Sequence, residues 1–222
     1  RVFERLGIDY CCGGKKPLQT ACVEKKLDLA AVVVELDTDP APVAQGERNW
    51  AAASLTDLAD HVEQTHHAYL KQELPRLAFL TNKIAMRHGD TRPELLDIRD
   101  VFGELKAEMD RHMLKEERVL FPLCRQLDMA DALPETQYGS IGNPIEVMIR
   151  EHEHAGDALA RLRALTHDYT APADACNTFR ATFDSLEQLE KDLHQHVHKE
   201  NNILFPKALR QEKLLSGKAG AV

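Results

Sequence analysis

One segment of this chain occurs twice. His112-Met113-Leu114-Lys115-Glu116-Glu117-Arg118-Val119-Leu120-Phe121-Pro122 returns 84 residues later as His196-Val197-His198-Lys199-Glu200-Asn201-Asn202-Ile203-Leu204-Phe205-Pro206. The shared core is H-x-x-K-E-x-x-ϕ-L-F-P, with ϕ apolar. Upstream of each copy lies a second echo, His67-Ala68-Tyr69-Leu70 against His152-Glu153-His154-Ala155, offset by 85 residues. Each half of the sequence thus carries one single His and one His-x-x-x-Glu pair.

Residues four apart on a helix sit one turn apart on the same face, so each His-x-x-x-Glu pair aims side by side. Leu105, Met109, His112, Glu116, Val119 and Leu123 follow the alternating four-and-three steps of a core seam. Leu189, Leu193, His196, Glu200 and Ile203 do the same. So do Ile145, His152, Ala155, Leu159 and Leu162, and His67, Leu70, Leu74 and Leu77. The polar groups therefore lie on buried stripes. An ionised carboxylate there needs compensation, and two of them near each other repel.

Four histidines and two glutamates converging in one core are stabilised far better by metal cations than by one another. Helix bundles commonly hold pairs of iron or manganese ions in this way. The expected ligands are His67, His112, Glu116, His152, His196 and Glu200. No thiolate lies on the stripes, which argues against a Cys-rich zinc site, and calcium and magnesium prefer oxygen donors. Two iron ions are the expected cofactor, with manganese and zinc also compatible with the donors.

A lone His on an apolar stripe, or one His–Glu pair, would carry little weight. Six such positions symmetric across a duplication carry the assignment. His66 adjoins His67, but the register 67, 70, 74, 77 reproduces 152, 155, 159, 162 and selects His67. His61, His88, His154, His167, His194 and His198 fall off the stripes or near helix ends and are expected at the surface.

The chain divides into unequal parts. Residues 1–39 read as a small helical domain with a glycine-rich turn, Asp9-Tyr10-Cys11-Cys12-Gly13-Gly14-Lys15. Asp39-Pro40-Ala41-Pro42 breaks the helix, and 40–53 reads as a linker. Ser54-Leu55-Thr56-Asp57 resembles a helix N-cap. From there the pattern predicts four long helices, over roughly 54–87, 95–127, 143–167 and 171–211. Residues 54–215 are thus expected to form an antiparallel four-helix bundle in an all-α protein, and 216–222 a disordered tail.

The 222 residues carry a formal charge of −8, spread along the chain. Nucleic acid and anionic membranes both reward a basic face, so neither is expected as a partner. The longest apolar run, Leu29 to Leu36, falls short of the ~20 residues that span a bilayer. No signal peptide is read, and because residue 1 is Arg the natural N-terminus is expected upstream. The five cysteines, Cys11, Cys12, Cys22, Cys124 and Cys176, are an odd count without a disulfide-scaffold pattern. Reduced thiols and a cytoplasmic location fit them best.

Together these residues resemble the hemerythrin-like di-iron proteins, specifically the RIC (repair of iron centres) family. Ile8-Asp9-Tyr10-Cys11-Cys12-Gly13-Gly14-Lys15 looks like the signature of that family's N-terminal domain. His67, His112-Met113-x-Lys115-Glu116, Glu151-His152-Glu153 and His196-x-x-x-Glu200-Asn201-Asn202-x-Leu204-Phe205-Pro206 match its ligand motifs. The resemblance covers nearly the whole chain. It implies an oxo- or hydroxo-bridged di-iron centre in a cytoplasmic stress-response protein that helps restore damaged iron–sulfur clusters and reacts with nitric oxide.

Nitric oxide or dioxygen would be the small ligand and damaged iron–sulfur proteins the clients, with a homodimer left open. Oxygen-carrying hemerythrins use five histidines with two carboxylates. Four histidines leave positions for a diatomic molecule or for release of iron. By the same resemblance Glu108 and Glu151 line a proton or iron path, where the plain reading is a surface glutamate in an ion pair. Cys11 and Cys12 read either as reactive thiols handling iron, sulfur or nitrosyl groups, with Cys22 joining them, or as inert ones. Cys124 and Cys176 read as structural. Cluster repair, enzymatic reduction of nitric oxide, and gas scavenging or sensing are the alternatives. The Cys-Cys-Gly-Gly unit favours the first.

Overall fold

A computed structural model describes residues 2–8, 10–11, 16–38 and 49–219. All regular structure among them is helical. At the N-terminal end α1 (Val2–Arg5), α2 (Leu18–Glu24) and α3 (Leu29–Thr38) enclose a small core of Ile8, Cys22 and Val32. The expected linker at 40–53 falls largely outside the described residues.

Four antiparallel helical runs follow. The first joins α4 (Leu55–His61), a π turn (Val62–His67) and α5 (Ala68–His88). The second joins α6 (Glu94–Lys115), a π turn (Glu116–Leu120) and α7 (Phe121–Met129). The third is α8 (Gly142–Leu165) alone. The fourth joins α9 (Asn177–Lys199), a π turn (Glu200–Leu204) and α10 (Phe205–Ala219). The first run packs against the second through α5 and α6, the second against the third through α6 and α8, and the fourth against the first through α9 and α5. The result is an up-down-up-down bundle.

Local chemistry sets the ends. Ser54 Oγ accepts the Asp57 N–H at 3.0 Å, and the Asp128 carboxylate accepts from Leu55 and Thr56 at 3.3 and 3.2 Å. These bonds satisfy donors that a helix start leaves unpaired. The fourth run begins later than the expected 171. His167, Asp168 and Tyr169 take left-handed backbone angles, φ +50°, +56° and +57°. Thr166 Oγ1 accepts the Tyr169 N–H at 3.0 Å and the Tyr169 ring is buried in the core; the next helix opens at Asn177. At the other end α10 continues to Ala219, past the expected limit of 215. The remainder of the expected disordered tail, 220–222, lies outside the described residues.

The bundle interior is layered. One apolar cluster holds Leu70, Leu74, Phe102, Leu105, Leu159 and Leu193; a second holds Leu58, Val62, Leu120, Phe121, Met148 and Phe205. Between them lie buried His67, His112, Glu116, His152, His196 and Glu200. Three π turns adjoin this polar layer, and such turns mark functional sites in helices. Each adds a residue, so the seam moves by one. Leu120 and Leu204 are buried where the regular step predicted Val119 and Ile203, which are only partly covered. Pro122 and Pro206 follow directly. A proline ring crowds the carbonyl four residues back, and the wider turn before it relieves that crowding.

Phe102 is fully buried at the centre of the larger cluster. Phe102→Ala is expected to cost about 3–5 kcal/mol of stability, read by denaturant unfolding. Metal content of the folded protein should be unchanged, because the cluster lies to one side of the polar layer.

Candidate metal centre

The repeat places its ligands by simple means. His67 ends the first π turn, and Glu116 and Glu200 open the other two. His112 and His196 lie one helical turn before their glutamates, and His152 faces them from α8. The two Leu-Phe-Pro segments then close the layer. Phe121 stacks on His67 with centroids 5.4 Å apart, and Phe205 on His152 at 5.9 Å.

All six expected ligands meet. His67, Glu116, His196 and Glu200 form one group able to hold a cation, and His112, Glu116, His152 and Glu200 a second; in each, the donor atoms lie within 4.8 Å of one another. Both glutamates belong to both groups. Glu116 Oε2 lies 3.3 Å from His67 Nε2 and 3.2 Å from His112 Nε2. Glu200 lies 3.2 Å from His152 Nε2 and 3.1 Å from His196 Nε2. The Nε2 atoms of His112 and His152 are 3.1 Å apart.

Hydrogen bonds do not satisfy this cluster. Both oxygens of Glu116, Glu200 Oε2 and His67 Nε2 are buried without a hydrogen-bond partner among the described residues. Buried polar atoms are nearly always paired, so these orphans fit a cation that would use them as ligands. Burial and mutual repulsion oppose ionisation of Glu116, yet His112 and His67 hold its carboxyl below the usual range. Glu200 is held well below it, against burial, by His196 and His152. Burial pushes the His196 imidazole down, whereas in His67 the glutamates outweigh burial and raise it.

A second ring of partners holds the imidazoles by their other nitrogen. His67 Nδ1–H donates to Glu117 at 2.7 Å, His112 Nδ1–H to Glu151 at 3.0 Å, and His152 Nδ1–H to Asn201 Oδ1 at 3.0 Å. Such contacts fix the tautomer and raise ligand basicity. The spacing argument did not single out Glu117 or Asn201. Their signal is position: each directly follows a ligand glutamate. Glu151 also pairs with Lys115. It lines a cavity of about 120 Å³ together with Glu108, Arg111, His112 and His154. Glu108 is exposed.

His66, the rival of His67 in sequence, is buried beside the site and bonds Asp192 at 2.9 Å and Lys199 at 2.8 Å. Other expectations shift. His194 and His198 are half-buried under Tyr10, with centroids 6.1 and 5.3 Å away, and His61 lies under Trp50 at 3.8 Å. Helix periodicity cannot register covers supplied from outside the bundle. Cys11 is buried, its carbonyl 3.5 Å from Asn201 Nδ2, while Cys12 lies outside the described residues. Cys22 and Cys124 are buried free thiols, and burial pushes Cys124 up to about 12. Cys176, expected to be structural, is exposed.

Comparison with known proteins meets this geometry at one point. Residues 58–208 match the hemerythrin HHE cation binding domain, and residues 1–39 match a domain of unknown function, DUF542. The chain belongs to the hemerythrin-like family. Within that family it is similar to the iron-sulfur cluster repair protein YtfE of Musicola paradisiaca, 37% identical over 95% of this chain and 90% of the relative. The YtfE protein of Escherichia coli O157:H7 is 34% identical over 95% and 91%. A probable iron-sulfur cluster repair protein of Haemophilus influenzae is 32% identical over 96% and 92%. Both the bundle and the N-terminal unit therefore recur together in these hemerythrin-like relatives. No helix among the described residues is long and apolar enough to cross a membrane.

The site sets two pH edges in metal-free protein. The His112 N–H and Lys115 hold Glu151 down at about 2. Burial works against protonation of His112, but Glu116 and Glu151 raise it to about 10. Glu151 is depressed when folded, so its contribution is present above 4.5 and lost as pH falls toward about 2. His112 is raised, so its contribution is full below 6.5 and lost as pH rises through about 10. The melting temperature of metal-free protein should thus fall on both sides of that window. Glu151→Gln should flatten the acid-side slope.

Proposed function

We propose that this chain is a di-iron protein that takes part in repairing iron–sulfur clusters damaged by nitrosative or oxidative stress. The observation that carries the reading is the pair of buried four-donor groups sharing Glu116 and Glu200. The names of the relatives supply the cellular task. Four imidazoles with two carboxylates suit iron better than the oxygen-seeking cations, and a buried layer between two apolar clusters suits a resident ion.

The residues have separable roles in this reading. Glu116 and Glu200 would be shared by both ions, His67 and His196 would complete one position, and His112 and His152 the other. Bound iron would supply one-electron chemistry and coordination positions for a small ligand. Phe121 and Phe205 cover the imidazoles and keep water from that side. Glu151 orients His112 and, with Glu108, lines the small cavity that reaches it, a route for protons or for iron. The N-terminal unit that carries Cys11 and Cys12 would engage the client protein. A cytoplasmic location accords with free thiols and with clients of this kind.

Nitric oxide is the favoured small ligand, with dioxygen as the alternative. Each position has two histidines and two shared carboxylates, fewer donors than six-coordinate iron takes. That shortfall supports a second reading, reduction of nitric oxide at the paired positions or its capture without turnover. A homodimer is compatible with all of these.

Glu116→Ala and Glu200→Ala should each lose most bound iron, because each removes a donor from both positions and leaves its partner unbalanced. Two irons per chain with an unchanged visible spectrum in either variant would end the bridging assignment. For the task itself, wild-type protein should restore activity to a nitric-oxide-damaged iron–sulfur enzyme in an anaerobic assay, and the Cys11→Ala/Cys12→Ala double variant should not. Sustained nitrous oxide production by reduced protein would instead favour turnover.

A further inference from the structure

We infer that the two metal positions are unequal, and that the His67/His196 position releases its ion first while the His112/His152 position retains its own. The inference rests on the two-ion reading above. It comes from a break in the symmetry of the duplication.

The repeat pairs His67 with His152, His112 with His196, Glu116 with Glu200, and Glu117 with Asn201. The outer ring obeys that pairing for the single histidines: Glu117 holds His67 and Asn201 holds His152, each from the residue after a ligand glutamate. His112 is held by Glu151, the residue before a single histidine. By symmetry His196 should be held by residue 66. That residue is a histidine, and its ring lies flat on His196, 1° from parallel with centroids 5.3 Å apart.

His66 cannot turn to serve His196. The Lys199 ammonium donates to His66 Nε2 at 2.8 Å, which makes Nδ1 the protonated nitrogen, and that N–H donates to Asp192 at 2.9 Å. The tautomer is fixed and both nitrogens point away from His196. His196 Nδ1 is left buried without a hydrogen-bond partner among the described residues. Its Nε2 faces Glu200 at 3.1 Å, the side on which an ion would sit.

Ligand imidazoles that donate their second N–H to an acceptor bind metal more tightly, and loss of such a partner typically lowers metal affinity about 10–100-fold. The His112/His152 position has an acceptor behind both imidazoles. The His67/His196 position has one behind His67 only. The glutamates are common to both positions and cannot create the difference. Departure of the first ion leaves Glu116 and Glu200 still engaged by the second, so the polar layer stays balanced after one ion has gone.

Protein loaded anaerobically with two equivalents of ferrous iron and mixed with excess ferrozine should release iron in two phases, the first about 10–100-fold faster than the second. Crystals of the half-depleted protein should show anomalous iron scattering between His112 and His152. Glu151→Leu removes the acceptor behind His112 and should draw the two phases together; Glu151→Gln, which keeps an acceptor oxygen, should restore their separation. His66→Glu, which offers His196 the missing acceptor, should slow the first phase. Single-phase release by the wild-type protein, or the retained ion lying between His67 and His196, would overturn the inference. Uptake of fewer than two ions would instead overturn the two-ion reading on which it stands.

Discussion

Two carboxylates with no access to water lie within a few ångströms of each other in the middle of this bundle, and the remaining structure answers that fact. Burial and mutual repulsion both work against their ionisation, yet the surrounding imidazoles hold both in the charged form. Without cations the layer keeps unpaired oxygens on each glutamate. With two cations every donor would have a use. Apolar clusters on either side remove the alternative of solvation, so the fold commits the site to binding metal.

The helices bend their own rules to deliver those donors. His66 and His67 are both buried, and the turn that carries them is a wide one. The same widening after Glu116 and Glu200 lets a glutamate, a leucine and a phenylalanine all face the interior in each repeat. The Leu-Phe-Pro ending of the repeat then has a physical reading. Leucine fills the floor of the layer, phenylalanine lies on the single histidine of its own half, and proline follows where the backbone has room for it.

Much of this was legible in the residues. Helical period and buried-stripe spacing are strong signals over segments this long, so the bundle and all six converging donors could be read directly. The wider turns could not, because they alter the period itself: Val119 and Ile203 fit the regular seam and lie half out of it. Contacts from outside the bundle were equally invisible. Nothing in the spacing of His61, His194 or His198 reveals that Trp50 or Tyr10 lies over them. The start of the fourth helix was misplaced because three successive left-handed residues, none of them glycine, carry no sequence signal that outweighs Pro172.

The duplication has a topological consequence. Each donor group takes two ligands from the first half of the bundle and two from the second: His67 and Glu116 with His196 and Glu200, or His112 and Glu116 with His152 and Glu200. Neither half can complete a position alone. A bound ion would therefore act as a cross-link between the two halves of the sequence, tying the bundle into a closed loop as a disulfide would, but one that can be opened and reclosed by exchanging the ion.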